Sequence, residues 1–488
     1  MIHDTADGIG RPAIPEGRPR MPLPMSPASS VFLLGESREH PLHVGGLVLL
    51  QPPDGADARS VRSMLDDSMS RGEVTPLLRK RARRSASSLG QWFWDDDDQF
   101  DIGHHIRHDA LAHPGGMTEL SALVSRLHGG LLDRNRPLWE MHLIEGLADG
   151  RFAVYTKIHH SVADGVGAMR LLRRSLTVDA DKRDMPAPWE PRTRIPQRRN
   201  TPGLLDLPVS AVRTAIDAAA EATGLVPALA GSVLRALRNQ GGPMSFSAPH
   251  SALNVPITGA RQFVARSWAL DRLRLVAKYA DGTINDVVLA MSSGALRRYL
   301  IERDALPTRP LVAMVPVSLR SDKTRPEPIG DPNEAGGNEI GTLMCNLGTD
   351  LADPGDRLAT VRRSMAEGKA ALRGMSTAQV IALSALGSAP LALDMLFGRH
   401  GPVRPPFNIV ISNVPGPSVP LYWNGCRLDA LYPLSVTLDG QALNITCTST
   451  DHAISFGLTG CRRAVPNLEP ILDHFDDELA ALEAAVGI

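Results

Sequence analysis

Phe152-Ala153-Val154-Tyr155-Thr156-Lys157-Ile158 runs directly into His159-His160-Ser161-Val162-Ala163-Asp164-Gly165, and Gly167-Ala168-Met169-Arg170-Leu171-Leu172 follows. The first stretch alternates as a strand does, and the last has the apolar spacing of a helix. Strand, loop and helix in that order form the local unit of an α/β protein. The loop lies where such folds commonly place reacting groups, because the strand is rigid and the loop faces a crevice. An imidazole there can take a proton near neutral pH, its unperturbed pKa being about 6.5. Successive strand residues point to opposite faces, so only one of the two histidines looks into a given site, which counts against both chelating one metal. Asp164 and Gly165 together permit a sharp turn whose carboxylate can hold neighbouring groups. Taken alone, a His pair is usually structural or solvated.

Working outward, 488 residues exceed one ordinary core, so two domains are expected. A hydrophobic share of 43% and a charged share of 22% are those of a globular protein. The net charge of −1 gives no case for nucleic acid binding. Cys345, Cys426, Cys447 and Cys461 lack CxxC spacing and read as reduced cysteines of a cytosolic protein rather than a disulfide framework or zinc site. No run approaches the ~18 to 20 apolar residues of a membrane span. The polar, Gly- and Pro-containing start lacks the apolar core of a signal peptide, so residues 1–22 read as a disordered extension and any membrane contact as peripheral.

The pattern predicts a short helix at Val31 to Leu34, a buried strand at Val44 to Leu50, and helices over 58–71 and 118–132. The acidic run Asp95 to Asp98 reads as a solvated turn. A second His cluster, Gly103 to His108, alternates like a strand and is read as structural. Met141 to Ile144 is another strand. Residues 181–202 are rich in Pro and Arg, which marks a linker, and the Ala-rich 208–238 predicts one or two bridging helices. A membrane-surface helix is the alternative for that stretch, weakened by Asp217 and Glu221. In the second half, strands are expected at 263–268, 311–317, 408–414, 443–448 and 454–458, the last two pairing. Helices are expected at 273–280 and from about Asn285 to Tyr299. The organisation is therefore an extension at 1–22, a domain at 23–180 carrying the heptad, a linker at 181–250 and a second domain at 251–488. Strands and helices mixed in each half argue α/β or α+β, twice over.

With these segments placed, the chain resembles the bacterial wax ester synthase/diacylglycerol acyltransferase family from Met25 to about Leu472. The likeness rests on Glu36-Ser37-Arg38-Glu39-His40-Pro41-Leu42-His43-Val44-Gly45-Gly46, Arg136-Pro137-Leu138-Trp139 and the Lys157 to Gly165 heptad region. It rests also on Asn285 to Ala290, Pro316-Val317-Ser318-Leu319-Arg320, Ser412 to Pro417 and Gly440 to Thr446. The heptad alone is shared with chloramphenicol acetyltransferases, carnitine acyltransferases and peptide-synthetase condensation domains. The other blocks are more specific. The chain departs from the family at Ser26-Pro27-Ala28-Ser29, where an Asp is usual, and at Leu347-Gly348-Thr349.

The resemblance implies two chloramphenicol-acetyltransferase-like domains, each a mixed sheet with flanking helices, joined by a helical linker with the site between them. It implies an acyl-CoA-dependent O-acyltransferase moving a long-chain acyl group to diacylglycerol or a long-chain alcohol. Coenzyme A thioester is then a co-substrate, and no cofactor or metal is expected. A thioester is already activated, so one positioned base suffices. His160 is assigned as that base, His159 as packing behind it and Asp164 as orienting the loop, with Gly165 letting the chain turn. Asn285 matches a position near the reacting centre and could donate to the oxyanion or cap its helix. Glu36 and Trp139 are the candidates for substrate contact, although Trp139, like Pro137, also fits loop shaping or core packing. Expected partners are acyl-CoA, the acceptor lipid, and a peripheral contact with the cytoplasmic face of the inner membrane or a lipid droplet. Two other readings stay open: a related acyltransferase using a carrier-protein thioester, and a non-catalytic lipid-droplet protein.

Overall fold

The computed structural model describes residues 23–56, 58–84, 90–163, 165–191, 248–318, 340–373 and 405–488, with a few isolated positions between them. The N-terminal extension, Asp164, the Pro/Arg-rich linker from 192 on and nearly all of 208–238 fall outside the described residues.

In the first half the elements are β1 (Leu23–Pro24), α1 (Pro27–Gly35), β2 (His43–Gln51), α2 (Ala58–Ser70), β3 (Lys80–Arg84), β4 (Trp92–Asp96), α3 (Ile102–His105), β5 (Ile106–Ala110), α4 (Met117–Gly129), β6 (Trp139–Glu145), β7 (Phe152–His159) and α5 (Gly165–Arg174). The second half supplies β8 (Arg261–Ala269), α6 (Leu270–Tyr279), α7 (Ile284–Ile301), β9 (Val312–Ser318), β10 (Ile340–Asn346), α8 (Pro354–Leu372), β11 (Ile409–Val414), β12 (Tyr422–Trp423), β13 (Cys426–Leu434), β14 (Leu443–Ser449), β15 (Ala453–Cys461) and α9 (Glu469–Ala485).

Two six-stranded mixed sheets result. One has the order β12-β13-β2-β7-β6-β5 and the other β10-β9-β11-β14-β15-β8. β13 comes from the second half yet pairs antiparallel with β2 of the first, from Arg427↔Gln51 to Leu434↔Gly45. The chain thus returns to its first sheet from within the stretch 251–488 that the sequence presents as one unit.

Alternation along β2 and β7 divides the first sheet's side chains between two apolar clusters. Val44, Val48, Leu50, Phe152 and Ile158 join a cluster with Trp139, Met141 and Trp189, against which α5 packs. Leu47, Leu49, Ala153 and Tyr155 join one with Leu120 and Val124 of α4 and Phe263 and Ala265 of β8. That second cluster ties the halves together, and the Phe263 amide donates to Ser125 Oγ on α4 at 2.8 Å. The largest core is that of the second half, where α7, α8 and α9 cover its sheet.

Three local expectations change. The acidic run is no solvated turn: Asp95 and Asp96 end β4 opposite Arg81 and Lys80 of β3, and Asp97 is buried with Oδ1 3.6 Å from Arg81. The strand expected at 103–108 begins only at Ile106, after the short α3, and His105 is buried between Phe100 and Trp139 as a stacked ring. The Ser26 side chain accepts the Ser29 amide at 3.1 Å and caps α1, so the helix entry is made without the absent Asp. All four cysteines are free and buried.

Candidate active site

β7 delivers both histidines. The His160 amide donates to Leu42 O (2.9 Å), so the residue is held against the loop entering β2. Its ring stacks on Phe32 of α1, with centroids 4.2 Å apart and planes 15° apart. His159 lies on the opposite side of the strand, fully buried. The Ser161 amide donates to His159 Nδ1 (3.1 Å), and Ser161 Oγ lies 2.7 Å from the same nitrogen. A nitrogen that accepts cannot carry the proton, so the neutral ring holds its N–H on Nε2. That atom sits 3.4 Å from Glu36 Oε1, at ion-pair range without the alignment of a hydrogen bond.

Glu36 follows α1, and its carboxylate is buried. Oε1 accepts the Leu42 amide (3.3 Å), and Oε2 accepts from Arg134 Nε (3.0 Å) and Nη2 (2.8 Å). Burial by itself would raise this carboxyl. His159, Arg134 and the Leu42 amide outweigh burial and hold it below the usual carboxylate range. Glu36 therefore braces His159 and the loop beneath it. The second half grips that loop: Arg261 Nη2 donates to Glu39 O (3.0 Å), and His40 Nε2 stands 3.0 Å from Asp439 Oδ2.

In front of β2 and β7 lies an open-mouthed cavity of about 140 Å³. Its walls come from both halves. Val44, Gly46, Thr156, Ile158, Trp139 and α5 stand on one side; Ser412, Val414 and Thr446 stand on the other. Trp139 lines it and is itself buried, with Nε1 donating to Leu78 O at 2.7 Å. Gly165 lines it as the first residue of α5 in an ordinary negative-φ conformation. Before it, His159 O accepts the Val162 amide (2.9 Å) and the Ala163 amide (3.3 Å), which turns the chain out of β7. Asn285 is the second residue of α7 and not its cap. Thr283 caps the helix, accepting the Asp286 amide (3.3 Å) while Asp286 accepts the Thr283 amide (2.8 Å). Asn285 does not line the cavity, and neither do His159, His160 or Glu36; the heptad region meets it through Ile158 and Gly165. Arg134, Ser161, Ser412 and Thr446 were not singled out from the sequence. Ser161, Ser412 and Thr446 carried a signal there, as members of blocks noted for their resemblance; Arg134 carried none.

The HHxxxDG loop thus leaves β7 at the edge of a cavity walled by both halves, which Ile158 and Gly165 line on either side of the histidines. The wax ester synthase/diacylglycerol acyltransferase catalytic-domain profile matches residues 25–288, and the family's C-terminal domain profile matches 336–483. The chain belongs to that family and is an enzyme.

Among relatives, a Mycobacterium tuberculosis H37Rv protein carrying the name diacylglycerol O-acyltransferase is 50% identical over 477 residues, covering 97% of this chain and 93% of that one. The tgs2 protein of the same organism, with the same enzyme name, is 48% identical over 468 residues, covering 95% and 99%. The solved wax ester synthase/diacylglycerol acyltransferase from Marinobacter aquaeolei VT8 is 38% identical, with a TM-score of 0.73, covering 95% of this chain and 100% of that one. The first condensation domain of the calcium-dependent antibiotic synthetase shares the fold, with a TM-score of 0.57 at 17% identity over 96% of this chain and 98% of that one.

Proposed function

We propose that the protein transfers a long-chain fatty acyl group from coenzyme A to the hydroxyl of a diacylglycerol or a long-chain alcohol. The observation that carries this is the HHxxxDG loop, His160 within it, running between Ile158 and Gly165 that line an apolar cavity built from both domains, in a chain of this family. His160 takes the acceptor's hydroxyl proton as the oxygen attacks the thioester carbonyl. The tetrahedral species then collapses, breaking the carbon–sulfur bond, and the imidazolium returns its proton to the leaving thiolate. No acyl-enzyme is needed, because the thioester is already activated. Asn285 is the candidate donor to the oxyanion, an assignment that rests on the family resemblance.

His160→Ala should lower kcat by about 10²- to 10⁴-fold in a palmitoyl-CoA assay offering hexadecanol and diacylglycerol together, with acyl-CoA binding retained. Turnover within about threefold of wild type would remove His160 from the chemistry. The same competition assigns the acceptor.

Among the described residues no helix is long and apolar enough to cross a membrane. Access to lipid acceptors is then by peripheral contact with the inner membrane or a lipid droplet, and retention after both high-salt and alkaline washing would contradict it.

A further inference from the structure

Among the described residues, no arginine or lysine lines the apolar cavity. Cations gather instead around another open cavity, of about 280 Å³, and Trp139 lines both. This polar cavity lies between the C-terminal end of α4, the loop that follows it, and the starts of β5 and β6. Arg107, Arg126, Arg136 and Lys157 line it, against two acids, Asp133 and Glu140.

Lys157 and Glu140, both buried and 2.5 Å apart, close the inner end and neutralise each other. The arginines at the mouth are held loosely or not at all. Arg136 Nε lies 3.5 Å from Asp133 Oδ2, and Arg107 Nη2 lies 3.7 Å from Glu140 Oε2. Arg126, exposed on the last turn of α4, has no hydrogen bond or ion pair among the described residues. The dipole of α4 accounts for one cation at its end, not for three. His104, on the same wall, senses the excess: burial lowers its imidazole pKa, and Arg136 and Arg107 lower it further.

We infer that this polar cavity binds a phosphate group, held by Arg126 and Arg107 with Arg136 at the rim. Guanidinium groups match phosphate oxygens in pairs, which a lysine at the same place would not do. Two sources carry that chemistry: the nucleotide end of coenzyme A, and the headgroup of an anionic lipid. Trp139, common to both cavities, sets the site beside the acyl cavity, as the first source requires. Leu131, 46% exposed among the lining residues, suits the second. The coenzyme A source rests on the acyl-transfer reading; phosphate binding itself does not.

The probe is inorganic pyrophosphate, titrated calorimetrically into the full-length protein. Wild type is compared with Arg126→Glu, Arg107→Gln and Arg463→Glu, each checked for an intact melting transition. Arg463 is exposed in the second half and does not line the cavity, so its substitution repeats the charge change elsewhere. Wild type should bind, less tightly as salt rises. Arg126→Glu and Arg107→Gln should each weaken binding by about tenfold or more, the effect of losing a charge-assisted hydrogen bond. Arg463→Glu should leave it unchanged.

Two further arms identify the source. If it is coenzyme A, adenosine 3′,5′-bisphosphate should bind more tightly than pyrophosphate, and Arg126→Glu should raise KM for palmitoyl-CoA about tenfold with kcat kept. If it is a lipid, wild type should sediment with phosphatidylcholine vesicles only when they contain phosphatidic acid, and Arg126→Glu should not. Pyrophosphate binding lost in the cavity variants with neither arm responding makes the ligand a free phosphate. Wild type that binds no pyrophosphate, or cavity variants that bind it as tightly, would overturn the inference. So would an equal loss in Arg463→Glu. If wild type transfers no acyl group but the cavity variants alone lose pyrophosphate, the function is wrong and the site stands. If one cavity variant does not fold, the other decides.

Discussion

The two faces of the first sheet are built from the same strands and have opposite characters. Toward α5, β2 and β7 present Val44, Gly46, Val48, Ile158 and Thr156, with open apolar space beyond. Toward α4, they present His43, Tyr155, Lys157 and His159, all buried. There the polar groups bond to backbone carbonyls and to one another, although His43 Nδ1 and His142 Nε2 have no hydrogen-bond partner. Lys157 Nζ donates to Leu127 O (2.8 Å) and Gly130 O (3.0 Å) and lies 2.5 Å from Glu140 Oε1. His43 Nε2 donates to His128 O (2.7 Å), and His128 Nδ1 meets Tyr155 Oη at 2.9 Å. His142 Nδ1 lies 2.7 Å from Asp109 Oδ2. The front face is shaped for a ligand and the back face for rigidity, so function and stability should respond to different faces.

The sharpest way to break this division is Lys157→Met. Burial lowers the Lys157 ammonium's pKa, with Glu140 opposing. Burial alone would raise the Glu140 carboxyl, but the nearby His142 ring and the Lys157 ammonium carry it down to about 2. Without the ammonium, Glu140 keeps a buried charge with less compensation, and a loss of ~3–5 kcal/mol is expected in urea unfolding. Adding Glu140→Gln should recover part of it. A loss under about 1 kcal/mol would show that the back face is not the stabilising one.

Acid probes the same face next in size. Burial pushes His128 down to about 3, with Lys157 and Arg261 adding to the effect, and pushes His43 well below its ordinary value. A histidine whose folded pKa is depressed favours folding above its unfolded value of about 6.5 and loses that contribution as pH falls toward the folded value. At pH 5 the expected loss from His128 alone is about 2 kcal/mol. The melting temperature of wild type should fall between pH 6.5 and 5 more steeply than that of His128→Asn; parallel curves would exclude His128 as the cause.

On the front face, Gly165→Ala should be nearly silent for stability. A Cβ there meets nothing within 4 Å, and the residue is already helical. A gain of about 0.4–1 kcal/mol is expected from the stiffer unfolded chain. A loss of that size, seen as a lower melting temperature, would show that the chain needs glycine where it enters α5.

Local signals carried much of this. The alternation in 152–158 and the apolar spacing after Gly165 place β7 and α5; β7 ends at His159, and His160 opens the turn after it. What failed was long-range or nearly degenerate. Asp95 to Asp98 look solvated until Arg81 arrives from a strand earlier in the sequence. Asn285 looks like a cap because capping residues cluster there, yet Thr283 and Asp286 have the reciprocal spacing a capping box requires. β13 could not be assigned to the first sheet, since nothing local to 426–434 names β2 as its partner.

That last pairing bears on how the protein is made. Until residue 434 leaves the ribosome, β2 has no neighbour on its β13 side, and at ~5–20 residues per second the interval is tens of seconds. Throughout it, an apolar strand edge is open on the nascent chain, a template for pairing with other chains. Slow decoding or truncation before the last third should therefore yield aggregates, and a first half expressed alone should be insoluble until a chain carrying Cys426–Leu434 is supplied in trans.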